Sequence, residues 1–285
     1  MKKDFYGTLK GILRMIRPFN CLGSAAIIPA AFLVSSSVQA LITSINTVAT
    51  VSLAAFLMCA AGNSLNDYYD LRVDRINRPS RPLASGAVKK SHAILVGIIF
   101  NLVGLYLFYT VSVIVFAISL SILALMTVYN KYSKRLGLVG NVIVSFMIFE
   151  AAIIGGIVAG GVYGAVYFAA SAFFINLSRE LVKAVEDMKG DKTVAKASFP
   201  LRYGIKKTSA LASVSALAGA AFMVYLQKFY SPLYLVLIMP AVYGVSKAVI
   251  PAGKLDAKRA GIISKNIKTS GTIGILAALV AGIFR

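Results

Sequence analysis

Residues 63–86 read NSLNDYYDLRVDRINRPSRPLASG and residues 179–191 read RELVKAVEDMKGD. Seven of the chain's 10 acidic residues lie in these two stretches. Both contain the spacing D-x-x-x-D, as Asp70/Asp74 and Asp187/Asp191, and the two copies are 117 residues apart. The repeated spacing hints at an internal duplication, although no wider repeat is visible.

The sequence around these stretches is strongly apolar. It has 285 residues, 58% of them hydrophobic and 14% charged, and a mean hydropathy of +0.79. This composition excludes a soluble domain, and the 8 prolines and 2 cysteines exclude collagen-like and disulfide-rich folds.

Apolar runs of about 18 residues or more are typical of membrane spans. They predict an all-α integral membrane protein with about nine transmembrane helices, forming a single domain over residues 1–285. The predicted spans are Cys21–Val38, Ile45–Asn66, Ala93–Tyr109, Val111–Val128, Asn141–Ala159, Tyr163–Val185, Ser209–Gln227, Leu233–Ala248 and Thr269–Phe284.

The basic residues predict the orientation of these spans. The net charge is +20, and 28 of the 30 Lys and Arg residues fall on one side of the predicted membrane, the exceptions being Lys228 and Arg285. Cytoplasmic loops carry the Lys/Arg excess. We therefore expect a multi-pass protein of the cell membrane, with the N-terminus and both acidic stretches cytoplasmic and the C-terminus outside. Merging two of the spans would put the later basic loops on the opposite side of the membrane, so the charge distribution favours nine spans over eight.

Residues 1–17 form a basic segment with helical amphipathic spacing. Apolar Leu9, Ile12 and Ile16 alternate with Lys10 and Arg14, which predicts a helix lying along the inner interface. The segment lacks the apolar core of a cleavable signal peptide. The first apolar run is therefore expected to act as its own insertion signal.

Helical continuation through the two acidic stretches would place each set of polar residues on one face. Carboxylates so close together repel one another and need a counter-charge. Mg²⁺ supplies one, since it takes oxygen ligands from one or two carboxylates together with substrate phosphates and water. Two such clusters can clamp a diphosphate. The alternative interpretation is that the acids solvate loop ends or pair with the surrounding arginines. The two sets are Asn63, Asp67, Asp70 and Asp74, and Glu180, Lys183, Asp187 and Asp191.

Residues 63–86 resemble the first aspartate-rich motif of the UbiA superfamily of intramembrane prenyltransferases, N-D-x-x-D-x-x-x-D followed by a basic R-P-L-x-S-G segment. Residues 179–191 resemble the second motif. One departure is Ala184, because many members have an aspartate directly after the lysine. The resemblance implies the UbiA-type fold, with about nine helices around a central cavity that opens to the inner face.

The resemblance also implies roles for particular residues. Seven would hold Mg²⁺ on the diphosphate of a polyprenyl donor, and their five aspartates would be catalytic: Asn63, Asn66, Asp67, Asp70, Asp74, Asp187 and Asp191. Arg72 and Lys183 would pair with the phosphates. Residues 129–135, YNKYSKR, resemble a third family feature beside the diphosphate, which adds Lys131, Tyr132, Lys134 and Arg135. Arg17, Arg78 and Arg81 are available for an anionic acceptor, and Asn20 could reach the head groups.

The chain as a whole most resembles members that transfer a geranylgeranyl group from geranylgeranyl diphosphate to the hydroxyl of geranylgeranylglyceryl phosphate in archaeal ether-lipid synthesis. The alternative is an aromatic acceptor, 4-hydroxybenzoate or another quinone precursor. Because the positive-inside rule alone would produce most of the basic residues, the acceptor prediction rests on the resemblance. The expected partners are the polyprenyl diphosphate donor, a lipid-like acceptor and membrane lipids, with no nucleic acid and no obligatory protein partner.

Two further points stay open at the level of sequence. Glu150 lies in the middle of the fifth span, and an acid at membrane depth is a candidate functional group. It either binds the acceptor or takes its proton, or it pairs with Asn101, Asn141 or Asn176. A membrane transporter is the alternative of a different class. Transporters usually place their coupling residues near the bilayer midplane, whereas the two acidic stretches lie at predicted helix ends.

Overall fold

The structure is a computed structural model that describes residues 2–193, 198–249 and 255–285. Within these ranges the regular secondary structure is entirely helical. A short 3₁₀ helix, Leu226–Phe229, precedes α12. The α-helices are α1 (Lys2–Ile16), α2 (Pro18–Ser35), α3 (Val38–Thr43), α4 (Ile45–Tyr69), α5 (Leu71–Asn77), α6 (Lys90–Val111), α7 (Val113–Leu136), α8 (Leu138–Val158), α9 (Tyr163–Glu186), α10 (Met188–Thr193), α11 (Phe199–Tyr225), α12 (Leu233–Ser246) and α13 (Ala257–Ile283).

Each of the nine predicted spans is a helix in the described part of the chain. Eight of these helices are long and apolar enough to cross a membrane. The ninth, α12, has 14 residues and is about 21 Å long, which is less than the roughly 30 Å of a bilayer's hydrocarbon core. The third and fourth spans are separate helices because the Ser112 hydroxyl caps α7, accepting from the backbone N–H groups of Ile114 and Val115.

The nine long or apolar helices close into a ring. Along the order α2, α4, α6, α7, α8, α9, α11, α12 and α13, each helix packs against the next, and α13 returns to pack against α2. Helix α2 also crosses α8 and α9. At the crossing with α8, a Cβ on Gly155 would lie 2.5 Å from the carbonyl oxygen of Ile28, so only glycine permits this approach. The expected arrangement of helices around a central space is confirmed.

The outer surface of the ring is apolar. On α6, for example, Leu95, Ile98, Leu102 and Tyr106 are all more than half exposed. An apolar surface of this extent suits lipid rather than water. The chain is an integral membrane protein.

Both D-x-x-x-D sequences lie where a long helix gives way to a short one. Helix α4 ends at Tyr69 and α9 at Glu186, so Asp70 and Asp187 are the single residues before α5 and α10. The helical hydrogen bonding nevertheless persists, from Asp74 N–H to the Asp70 carbonyl (2.8 Å) and from Asp191 N–H to the Asp187 carbonyl (3.1 Å). Helices α5 and α10 pack against each other. The fold therefore brings the two copies of the motif together.

Candidate active site

The first acidic stretch is held from the side by the turn between α1 and α2. Arg17, in this turn, has φ 54°, a left-handed conformation that is uncommon for a residue with a side chain. Pro18 opens α2 in the position that proline favours. The Arg17 guanidinium donates to the Asn63 side-chain carbonyl (3.1 Å) and pairs with the Asp67 carboxylate. Burial lowers the pKa of Arg17, and Asp67 offsets this only in part.

A second arginine joins the two buried carboxylates of the first stretch. Arg81 donates to Asp67 Oδ1 (3.1 Å) and to Asp74 Oδ2 (2.5 Å). Asp67 is 1% exposed and Asp74 is 3% exposed. Burial raises the pKa of Asp74, and the charge of Arg81 opposes that rise. Arginines therefore supply the counter-charge that these acids require.

The second acidic stretch is tied to the segment that follows the first. Arg78 donates to Asp187 Oδ1 (2.6 Å), and the Asn77 amide donates to the Asp187 carbonyl (3.4 Å). Burial opposes ionisation of Arg78, but Asp187 raises its pKa above the ordinary value overall. A Cβ on Gly190 would collide with the Asn77 amide. These contacts fix α10 against the end of α5. The interpretation that the acids pair with surrounding arginines is thus observed for Asp67, Asp74 and Asp187.

A small cavity of about 80 Å³ lies between the two stretches, and residues of both stretches line it. Lys183 and Tyr129 also line it, the latter from the inner end of α7. Its acidic and amide lining consists of Asn66, Asp70, Asp74, Asn141, Glu180, Asp187 and Asp191.

A larger cavity of about 430 Å³ adjoins the small one, and Asn66, Tyr129, Glu180 and Lys183 line both. Its lining on α9 runs from Lys183 to Phe168, 15 residues away, which corresponds to about 22 Å. The far end is apolar, and the Tyr234 hydroxyl there donates to the Met223 carbonyl (2.9 Å). Residues at that end are Phe108, Ile154, Phe168, Met223, Leu226 and Tyr234. The volume is within the usual range for ligand pockets, about 300–1,000 Å³.

The donor atoms of the small cavity suit a hard divalent cation. They are carboxylate and amide oxygens. Asp67 itself lines neither cavity, and its Oδ2 is buried with no hydrogen-bond partner among the described residues. No three His, Cys, Asp or Glu side chains of the described residues converge on one point. Mg²⁺ needs no such cage, because one or two carboxylates and the phosphates of a substrate complete its shell. The residues therefore fit Mg²⁺ bound together with a phosphorylated ligand.

Some sequence-predicted residues lie away from both cavities. Arg72 is exposed on α5 and lines neither cavity. Lys131 and Tyr132 are also exposed, with the Lys131 ammonium 5.3 Å from the centre of the Tyr132 ring. The reason is helical phase, since at about 100° per residue Tyr129 and Asn130 face inward and the next two positions face outward. These three residues were predicted to bind substrate, and the structure places them outside both cavities, so their role in binding stays a prediction. The side chains of Lys134 and Arg135 lie outside the described residues.

Glu150 also has a different partner from those expected. Its Oε1 accepts a hydrogen bond from the Ser121 hydroxyl (2.7 Å), which joins α8 to α7. It pairs with none of the three asparagines, and it lines neither cavity. Asn176 instead donates to Ser145 (3.2 Å). The position of Glu150 is that of a structural contact between helices.

Two other residues of the cavities received no role from the family resemblance. Glu180 is 8% exposed and accepts from Arg179 (2.6 Å), and both line the larger cavity. Glu180 lies seven residues before Asp187, on the same helical face, so its spacing was a usable signal. Lys268 of α13 also lines the larger cavity. No local sequence signal distinguishes Lys268 from the other lysines of that region.

A polar cavity at the end of a long apolar one, enclosed by membrane helices, defines a class of protein. It is an integral membrane protein whose site suits an amphiphile with an anionic head and a long apolar tail. Residues 25–261 match the model of the UbiA prenyltransferase family. The chain belongs to the UbiA prenyltransferase family, and it is a prenyltransferase.

Individual relatives agree with this family. The digeranylgeranylglyceryl phosphate synthase of Thermococcus sibiricus is 31% identical over 284 residues, covering 96% of this chain and 98% of the relative. A solved structure described as giving insights into digeranylgeranylglyceryl phosphate synthase in membranes is 29% identical, with a TM-score of 0.73 over 98% of this chain and 99% of its own. A UbiA homolog from Archaeoglobus fulgidus, solved bound to GPP and Mg²⁺, shares the fold with a TM-score of 0.65 at 17% identity, covering 95% and 99%.

Proposed function

We propose that this protein transfers a geranylgeranyl group from geranylgeranyl diphosphate to the hydroxyl of geranylgeranylglyceryl phosphate, with Mg²⁺ as cofactor. The observation that carries the proposal is the meeting of the two D-x-x-x-D sequences at one small polar cavity beside a long apolar one. The name and near-complete coverage of the curated relative support the choice of substrates.

The polar cavity would hold the diphosphate of the donor. Bound Mg²⁺ would neutralise the charge that develops on the departing diphosphate. We assign its ligands to the two motifs, among Asn63, Asn66, Asp67, Asp70, Asp74, Asp187 and Asp191. Lys183 lines both cavities and has the position from which an ammonium can contact the phosphate next to the reacting carbon. The arginines act differently, since Arg17, Arg78 and Arg81 orient the carboxylates.

The larger cavity would hold the geranylgeranyl tail and exclude water. Sixteen carbons form the extended backbone of this tail, and with C–C bonds of about 1.5 Å they span roughly 19 Å. This is close to the 22 Å between Phe168 and Lys183 estimated along α9. An apolar wall protects the allylic cation left by the diphosphate from hydrolysis. The Tyr129 ring, which lines both cavities, lies where it can face that cation.

We also propose that this site opens to the cytoplasm. The basic residues concentrate in the segments that join the inner ends of the helices, and such segments stay on the cytoplasmic side. Both substrates carry phosphates, which also favours a site at that surface. The N-terminus would then be cytoplasmic and the C-terminus outside.

The proposal is tested with purified protein in detergent, labelled geranylgeranyl diphosphate and three acceptors. These are geranylgeranylglyceryl phosphate, 4-hydroxybenzoate and a no-acceptor control. We expect transfer to the glyceryl phosphate, its loss in EDTA and its recovery with excess Mg²⁺. Transfer only to 4-hydroxybenzoate would favour the aromatic-acceptor alternative. Metal-independent transfer would refute the Mg²⁺ assignment, and absence of transfer to any acceptor would refute the proposed function.

A further inference from the structure

Four cationic side chains of the described residues line the larger cavity, and they differ in their partners. Arg17 pairs with Asp67 and Arg179 with Glu180. Lys183 and Lys268 have no carboxylate partner among the described residues. Lys183 also lines the small polar cavity, whereas Lys268 does not. In the described part of the chain, the cavities therefore have one ammonium without a carboxylate partner at the small polar cavity and a second one away from it.

Lys268 is held in place by a residue from the opposite end of the sequence. Its ammonium donates to the Asn20 side-chain carbonyl (2.5 Å), which joins α13 to the first turn of α2. In that turn the Asn20 N–H donates to the Arg17 carbonyl (2.9 Å), and the Arg17 side chain contacts Asp67. The second ammonium is thus linked to the acidic motif through a single helical turn and the side chains of Asn20 and Arg17.

Lys268 also lies at the boundary between polar and apolar parts of α13. The helix segment before it carries Lys258, Arg259 and Lys265, and no charged residue follows it within the helix. The phosphate of a lipid occupies this depth when its tails are in the hydrocarbon region. A long lysine side chain reaches such a phosphate while its methylene stem stays against apolar surface.

We propose that Lys268, positioned by Asn20, binds the phosphate of the lipid acceptor and so makes the enzyme select a phosphorylated acceptor. The assignment rests on the proposed function. It adds a second anion site, separate from the diphosphate site, and it places the glycerol hydroxyl between the two. Lys183 serves the donor and Lys268 the acceptor.

The test compares two acceptors that differ only in the phosphate, geranylgeranylglyceryl phosphate and geranylgeranylglycerol, with geranylgeranyl diphosphate as donor. Wild type, Lys268→Ala, Lys268→Gln, Lys268→Arg and the control Lys265→Ala are measured. Lys265 is exposed on the same helix and lines neither cavity. Lys268→Gln removes the charge but keeps a side chain able to donate to Asn20, so it serves if Lys268→Ala does not fold.

We expect Lys268→Ala and Lys268→Gln to raise the KM for the phosphorylated acceptor about tenfold to a hundredfold, the usual effect of losing a hydrogen bond to a charged group. The KM for the donor and the use of geranylgeranylglycerol should stay unchanged, Lys268→Arg should retain most of the preference, and Lys265→Ala should behave as wild type. An unchanged acceptor KM, an equal loss with both acceptors, or a matching rise in the donor KM would overturn the assignment. Wild-type protein inactive with both acceptors would instead overturn the proposed function, and this assignment with it.

Discussion

Arg81→Ala should destabilise the metal-free protein, because Arg81 bridges two carboxylates that are almost fully buried. In this variant Asp67 keeps Arg17 as a partner. Asp74 loses the hydrogen bond from Arg81 and the favourable interaction with its charge. Removing one partner of a buried ion pair costs about 3–5 kcal/mol. The Arg81 side chain is 19% exposed, so water recovers part of this cost and we expect a loss of about 2–3 kcal/mol.

The loss can be measured as a shift in Tm by circular dichroism at a helical wavelength, in detergent with EDTA. The chain has no Trp, so tryptophan fluorescence does not report its unfolding. At about 2–4 °C per kcal/mol the expected shift is roughly 4–12 °C. Added Mg²⁺ replaces the missing counter-charge and should restore more of the Tm in the variant than in wild type. Arg75→Ala, which removes an equal charge from an exposed position on α5, is the control.

The same variant has a pH dependence whose sign follows from Asp74. Burial raises the pKa of Asp74 in the folded protein, so the stabilisation from its neutral form is present at low pH and is lost as the pH rises through that pKa. Without Arg81 the ionised form is less favourable still. The difference in Tm between Arg81→Ala and wild type should therefore widen with increasing pH. Equal melting of the two proteins in EDTA, or an equal loss in Arg75→Ala, would refute the reasoning.

Three further predictions concern turnover with saturating substrates, for Lys183 and Glu150, and the choice of donor, for Phe168. Lys183→Ala should reduce kcat strongly while Arg72→Ala leaves it near wild type, because only Lys183 lines the cavities; an equal effect of the two would contradict the placement of Arg72. Glu150→Gln should retain activity, since a glutamine side chain can still accept a hydrogen bond from the Ser121 hydroxyl. A selective loss of acceptor use would instead indicate that Glu150 contacts the acceptor. Phe168→Ala enlarges the far end of the larger cavity and should raise the use of a donor one isoprene unit longer relative to geranylgeranyl diphosphate, measured by competition. An unchanged ratio would show that the tail lies elsewhere.

Local patterns predicted much of this molecule. Each of the nine apolar runs corresponds to a helix, because a lipid-exposed apolar segment must satisfy its backbone hydrogen bonds internally. Most bounds agree within about three residues, but α7 ends at Leu136 rather than Val128, α11 begins at Phe199 rather than Ser209, and α13 begins at Ala257 rather than Thr269. The pairs Asp70/Asp74 and Asp187/Asp191 were expected to lie one helical turn apart. They do so because helical hydrogen bonding continues through the break between the long and the short helix. Segments this rich in acid are recognisable in a chain that has so little of it.

Other features depended on contacts between distant parts of the chain. The sequence around residues 129–135 marked a polar helix end, but only the packing of α7 determined that Tyr129 faces inward and that Lys131 and Tyr132 do not. Arg72 lies two positions from both Asp70 and Asp74 in the sequence, yet its side chain is exposed on α5.

The sequence by itself determined that this is a membrane protein and where its acids cluster, because hydropathy, helical period and motif spacing are local properties. Tertiary structure decided which cations meet which acids, as with Arg17 and Asp67 and with Arg78 and Asp187. It also brought the Lys268 ammonium to the Asn20 side-chain carbonyl, 248 residues away in the sequence. It also decided the depth of the larger cavity. The contacts between distant residues and the depth of the cavity depend on how nine helices pack around a ring. Short-range sequence patterns do not encode the rotation of one helix against another.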